Sequence, residues 1–147
     1  MPNLHRWLAA LILLLSGATA VPAVEFRHAL DGSPLNLAPL PGEELTPAVK
    51  SFHETGVNPY NGESKALAKG KELYETYCQV CHLPDGSGRM GPSLIADKPV
   101  LPRAGTDVGK FEIIHSGASG AMSSFSRRGL TQDQILSIIA YVDSLKK

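Results

Sequence analysis

Cys78-Gln79-Val80-Cys81-His82 contains the only two cysteines of the chain, three positions apart, with a histidine directly after the second. Two thiols at that spacing on the last turn of a helix can each add to one vinyl group of the same porphyrin. The histidine that follows is then placed beneath the iron, where an imidazole nitrogen supplies the proximal axial bond. The pattern is that of covalent c-type haem attachment. Its thioethers make the cofactor part of the chain.

Cysteine pairs of this spacing also occur in thioredoxin-like redox sites, structural zinc sites and disulfides. A thioredoxin-like site needs a strand before the pair, whereas Ser64-Lys65-Ala66-Leu67-Ala68-Lys69 precedes it here and favours helix. A closed zinc site needs four ligands, and the sequence has no second close-set pair of Cys or His to complete one.

An electron-carrying haem needs a sixth iron ligand, and a methionine thioether is the usual partner of histidine, raising the reduction potential. Beyond residue 20 only Met90 and Met122 remain. Met90 lies eight residues past His82, a link of about 27 Å at full extension. It would have to round the haem edge through Gly86, Gly88 and Gly91-Pro92, so it reads as a packing residue. Met122 lies forty residues past His82 in a glycine-rich loop, Gly117-Ala118-Ser119-Gly120-Ala121-Met122, between two helical segments. Such a loop can carry the sulfur to the opposite face of the haem. Met122 is therefore the expected distal ligand, Met90 the alternative, and His28, His53 and His115 the candidates for a bis-histidine site.

The elements that must position these groups follow from the rest of the chain. Arg6, the apolar run Trp7 to Leu15 and Ala18-Thr19-Ala20 form the three parts of a secretory signal peptide over residues 1–20. Nine apolar residues fall well short of the roughly 20 that span a bilayer, so cleavage and a periplasmic, non-membrane-spanning mature chain are expected. Removing residues 1–20 from 147 leaves 127 residues with 13 basic and 14 acidic side chains. That length suits one domain, and the charge balance offers no basic surplus for nucleic acid.

Residues 21–63 are rich in proline and turn formers, with leucines at 35, 37, 40 and 45. They read as an N-terminal extension wrapped on the domain, with one short helix between an N-cap at Thr46, Pro47 at its first position and Gly56 past its end. Residues 64–147 read as the domain proper. Its first helix, 64–79, turns Ala66, Leu67, Leu73, Tyr74, Tyr77 and Cys78 inward against the last. Asp107 is the expected cap of a middle helix through Phe111, Ile113 and Ile114, closed by Gly117. The last helix opens on a capping box, Thr131 with Gln134, and a hydrophobic staple, Leu130 with Ile135. Ile135, Leu136, Ile138, Ile139, Val142 and Leu145 form its apolar stripe. With no sustained period-two alternation, the fold class is all-α.

From Ser64 to the C-terminus the chain resembles a class I cytochrome c domain, with three main helices around one covalent haem c. The resemblance rests on Cys78-x-x-Cys81-His82, on Gly91-Pro92-x-Leu94, on the methionine loop and on the terminal helix. It implies that the Pro92 carbonyl accepts a hydrogen bond from axial His82 and that Met122 is the sixth ligand, although Ser123 stands where many members have proline. Phe26-Arg27, Leu35-Asn36-Leu37, Thr46-Pro47-Ala48-Val49-Lys50-x-Phe52 and Thr55-Gly56-Val57-Asn58-Pro59-Tyr60 are in turn similar to the cytochrome cL family. That likeness implies an electron-transfer protein, not an enzyme, whose donor is a methanol or alcohol dehydrogenase dependent on pyrroloquinoline quinone (PQQ). Its acceptor would be a downstream c-type cytochrome or oxidase, with Lys98, Arg103, Arg127 and Arg128 as candidates for steering the encounter. A general class I carrier serving an oxidase or reductase, and a ligand-binding or peroxidase-type haem protein, are the competing readings.

Overall fold

The structure, a computed structural model, describes residues 23–146, so the expected signal segment lies outside it. Five α-helices carry the described residues: α1 Pro47–Thr55, α2 Ser64–Tyr77, α3 Gln79–His82, α4 Asp107–Ser116 and α5 Gln132–Ser144. The described residues form no strand, only one isolated bridge between Arg27 and Pro34, in line with the all-α expectation. None of their helices is long and apolar enough to cross a membrane.

Helix α1 follows its sequence signals closely. The Thr46 hydroxyl accepts from the Val49 N–H at 3.2 Å, Pro47 occupies the first turn, where its missing N–H costs nothing, and Gly56 closes the helix with φ of 70°. Val49 and Phe52 are its buried residues.

Helices α2 and α5 form the central crossing. Ala66, Gly70, Leu73 and Tyr74 make the buried face of α2, whereas Tyr77, expected inward, remains 37% exposed. A β-carbon at Gly70 would overlap the backbone carbonyl of Ser137, so the missing side chain sets how closely the two helices approach. The Thr131–Gln134 capping box is complete on both sides, and the staple residues Leu130 and Ile135 are both buried in the core.

Two boundaries differ from expectation. Helix α2 stops at Tyr77 instead of running to 79, and Cys78, with φ of −115°, separates it from α3. In α4 the cap is Thr106, whose hydroxyl accepts from the Gly109 N–H at 3.0 Å. Adjacent Thr and Asp both suit a cap; Asp107 is drawn inside the helix because its carboxylate is used elsewhere, accepting from the Asn58 N–H at 2.9 Å and Asn61 Nδ2 at 3.1 Å.

The segment ahead of α1 is held by side chains of the later helices. Buried Glu112 of α4 accepts from the Arg27 N–H at 2.7 Å. Near the start of α5, the Gln132 N–H donates to Glu43 at 2.7 Å and the Gln132 side chain donates to the Leu37 carbonyl at 3.0 Å. Phe26 enters the core beside Phe52 and Phe111, with ring centroids 5.5 and 5.7 Å away, and Leu35, Leu37 and Leu45 pack against the same core.

Candidate functional site

Helix α2 delivers the cysteine motif. The Cys78 N–H still bonds back to the Tyr74 carbonyl at 2.8 Å, and the Cys78 carbonyl in turn accepts from the Cys81 and His82 N–H groups at 3.1 and 3.0 Å. One turn of helix therefore presents both thiols and the imidazole. Both cysteines are free and partly exposed. Burial, and secondarily the neighbouring Cys81, pushes the Cys78 thiol up to about 12. Among the described residues no group of three or more His, Cys, Asp or Glu is arranged to hold a metal ion.

His82 is buried, with its Nδ1 2.9 Å from the Pro92 carbonyl oxygen. A carbonyl only accepts, so Nδ1 carries the proton and Nε2 of the neutral ring keeps its lone pair for a metal. The loop that supplies Pro92 folds back onto the motif through Gly88 N–H to the His82 carbonyl at 3.0 Å and Gly91 N–H to the Cys81 carbonyl at 3.0 Å. Gly91 lies flat against the imidazole: a β-carbon there would stand 2.5 Å from Cε1 and 2.8 Å from Nδ1. These residues fit a covalently attached, axially ligated haem.

Leu83, directly after His82, has φ of 63° and ψ of 158°, a region that costs a non-glycine residue about 1–3 kcal/mol. It is held by three hydrogen bonds. Its N–H donates to the Gln79 carbonyl at 2.9 Å, and its carbonyl accepts from the Gly86 N–H at 3.1 Å and the Tyr74 hydroxyl at 2.7 Å. Neither this backbone nor the role of the Tyr74 hydroxyl was legible in the sequence, where Tyr74 is only one more apolar position of α2.

Met122 is half-buried and packs, with Cys78 and Leu94, against the hydrophobic core. Its loop is pinned by Ala118 N–H to the Met122 carbonyl at 2.8 Å and by Phe125 N–H to the Ile114 carbonyl at 3.0 Å. Met90 is 71% exposed, which corrects the expectation that it packs: its loop is held instead by the Gly88 and Gly91 N–H groups on the motif's carbonyls and by the Pro92 carbonyl on His82 Nδ1. Of the histidines, His53 bonds Gln132 at 2.7 Å. His115 is buried and stacked on Phe111 at 5.3 Å, with an unpartnered Nδ1 and a pKa lowered chiefly by burial. Both border the Phe26–Phe52–Phe111 cluster. Among the steering candidates, Arg103 is bound in a fork to Glu112 at 2.7 and 2.6 Å, and Arg128 covers the Phe125 ring at 4.9 Å.

Residues 65–142 match the family described as cytochrome C oxidase, cbb3-type, subunit III. Cytochrome c-L of Methylorubrum extorquens is 37% identical over 123 residues, which span 83% of this chain and 62% of that protein. The chain thus corresponds to less than two thirds of the length of this curated relative. The crystal structure of cytochrome cL from Methylophaga aminisulfidivorans superposes with a TM-score of 0.80 at 36% identity, covering 84% of this chain and 81% of that one. Cytochrome cL from Hyphomicrobium denitrificans gives 0.78 at 37% identity, covering 86% and 76%.

Proposed function

The chain belongs to the cytochrome cL family, and from that premise we propose that it is a periplasmic one-electron carrier for a PQQ-dependent methanol or alcohol dehydrogenase. Membership brings one covalently bound haem c, whose iron supplies the one-electron chemistry. Cys78 and Cys81 would hold the haem through their sulfurs, with His82 Nε2 and the Met122 thioether sulfur as the side-chain atoms offered to its iron. Residues 1–20 serve as the signal for export, and 21–63 as an extension around the domain formed by 64–147.

The observation that carries this reading is the hydrogen bond from His82 Nδ1 to the Pro92 carbonyl at 2.9 Å. It selects one tautomer, orients the ring and raises the basicity of Nε2, as such outer partners do for metal-bound histidines. With both side chains retained as ligands, a bound haem would change charge with little nuclear rearrangement to slow transfer. A two-electron alcohol oxidation is then discharged in two successive encounters, and the electrons pass on to a downstream c-type cytochrome or oxidase. Encounters of this kind use small, transient interfaces.

The cbb3-type oxidase family match covers 65–142, without the extension, and favours a second reading: a general class I carrier serving an oxidase. Deleting residues 21–62 without loss of electron acceptance from the dehydrogenase would support it.

Met122→Ala tests the ligand set. The oxidised protein is expected to lose the weak charge-transfer absorption of a methionine–iron bond, and its reduction potential should fall, since an axial methionine raises it. The reduced protein should bind carbon monoxide rapidly. Met90→Ala should leave all three readouts unchanged; the reverse pattern would move the sixth ligand to Met90.

A further inference from the structure

Tyr74 is fully buried, yet its hydroxyl reaches nine residues along the chain to the Leu83 carbonyl at 2.7 Å. The ring is immobilised beside Tyr141, with centroids 5.3 Å apart, where α2 crosses α5. Leu83 is the one non-glycine residue with positive φ among those described, and it directly follows His82. Resting on the reading of His82 as the axial ligand, we infer that Tyr74 is a positioning residue for that imidazole, its hydroxyl clamping the strained Leu83 peptide and so fixing the ring against Pro92 and Gly91.

The physical case is one of constraint from both sides. On one flank, Nδ1–H is tied to Pro92 and the ring face meets Gly91. On the other, the backbone leaving His82 adopts a conformation that a leucine abandons unless its surroundings hold it. Two of the bonds that hold it, to Gln79 and Gly86, lie within the local chain. The Tyr74 hydroxyl is the one that ties it to the helix crossing. The α2–α5 core thereby sets the orientation of a ligand that neither helix carries.

The test uses the reduced holoprotein and the solvent exchange of the His82 Nδ1–H followed by nuclear magnetic resonance. Tyr74→Phe keeps the ring and removes only the hydroxyl; it should speed this exchange by about tenfold, near the upper end of what one neutral hydrogen bond contributes. Ile138→Val, which loosens the buried core on α5 without touching the hydroxyl, should lower the melting temperature and leave the exchange rate within twofold of the parent. Adding Leu83→Gly to Tyr74→Phe should restore slow exchange, because a glycine needs no clamp. Unchanged exchange in Tyr74→Phe, with His82 still carrying the large shifts of a ring beneath a haem, overturns the inference alone. His82 ring signals without those shifts in the parent protein overturn the axial reading, and this inference with it.

Discussion

Gly91→Ala is expected to abolish correctly ligated holoprotein. The added methyl carbon would stand 2.5 Å from His82 Cε1 and 2.8 Å from Nδ1, well inside contact distance for carbon and nitrogen. The imidazole is held at two points: Pro92 accepts from its Nδ1 at 2.9 Å, and the Cys78 carbonyl, one turn earlier, accepts from its backbone N–H at 3.0 Å. Either the ring tilts and Nε2 leaves the position the iron requires, or the Gly88–Pro92 loop lifts and the bond to Pro92 breaks. Haem staining of denaturing gels should drop severely, and any protein recovered should carry the absorption of five-coordinate iron. Normal yield with an unaltered spectrum would mean that Gly91 does not bound the axial ligand.

Glu112→Ala should destabilise the fold by about 3 kcal/mol, at the lower end for a broken buried pair. Its carboxylate is wholly buried and bonds the Arg27 N–H at 2.7 Å and the Arg103 guanidinium at 2.7 and 2.6 Å. Removing it orphans the backbone N–H of Arg27, which costs about 1–3 kcal/mol, and leaves a cavity under the N-terminal segment. Arg103 is half-exposed and can turn to water, which is why the lower figure is chosen. Glu112→Gln keeps an acceptor and should cost roughly half as much. Urea unfolding followed by circular dichroism measures both. A loss below about 1 kcal/mol for the alanine variant would mean that the segment ahead of α1 is held by Phe26, the leucines and the Gln132 hydrogen bonds without help from Glu112.

These effects mark where sequence reading stops. Signals confined to a few residues were legible: the Thr46-Pro47 start and Gly56 end of α1, the Thr131–Gln134 box of α5, and the cysteine motif itself. Glu112 was not, because a mid-helix glutamate gives no sign of burial and its partner Arg27 is 85 residues away. Gly91 was marked in the sequence only as part of Gly91-Pro92-x-Leu94; that the His82 ring lies against it, as the Ser137 carbonyl lies against Gly70, shows only in the structure. Thr106 and Asp107 carry equal capping chemistry, so the choice between them was made by Asn58 and Asn61, which compete for the carboxylate. Met90 and Met122 were told apart in the sequence by their distance from His82 and by the glycine-rich loop around Met122; in the structure Met90 lies in solvent and Met122 against the core.

The most direct test of the carrier role is stopped-flow reduction of the oxidised holoprotein by a substrate-reduced, PQQ-dependent methanol dehydrogenase, followed at the haem absorption bands. The proposed function predicts fast reduction that saturates with dehydrogenase concentration. No reduction by the enzyme, in protein that ascorbate still reduces fully, would contradict it.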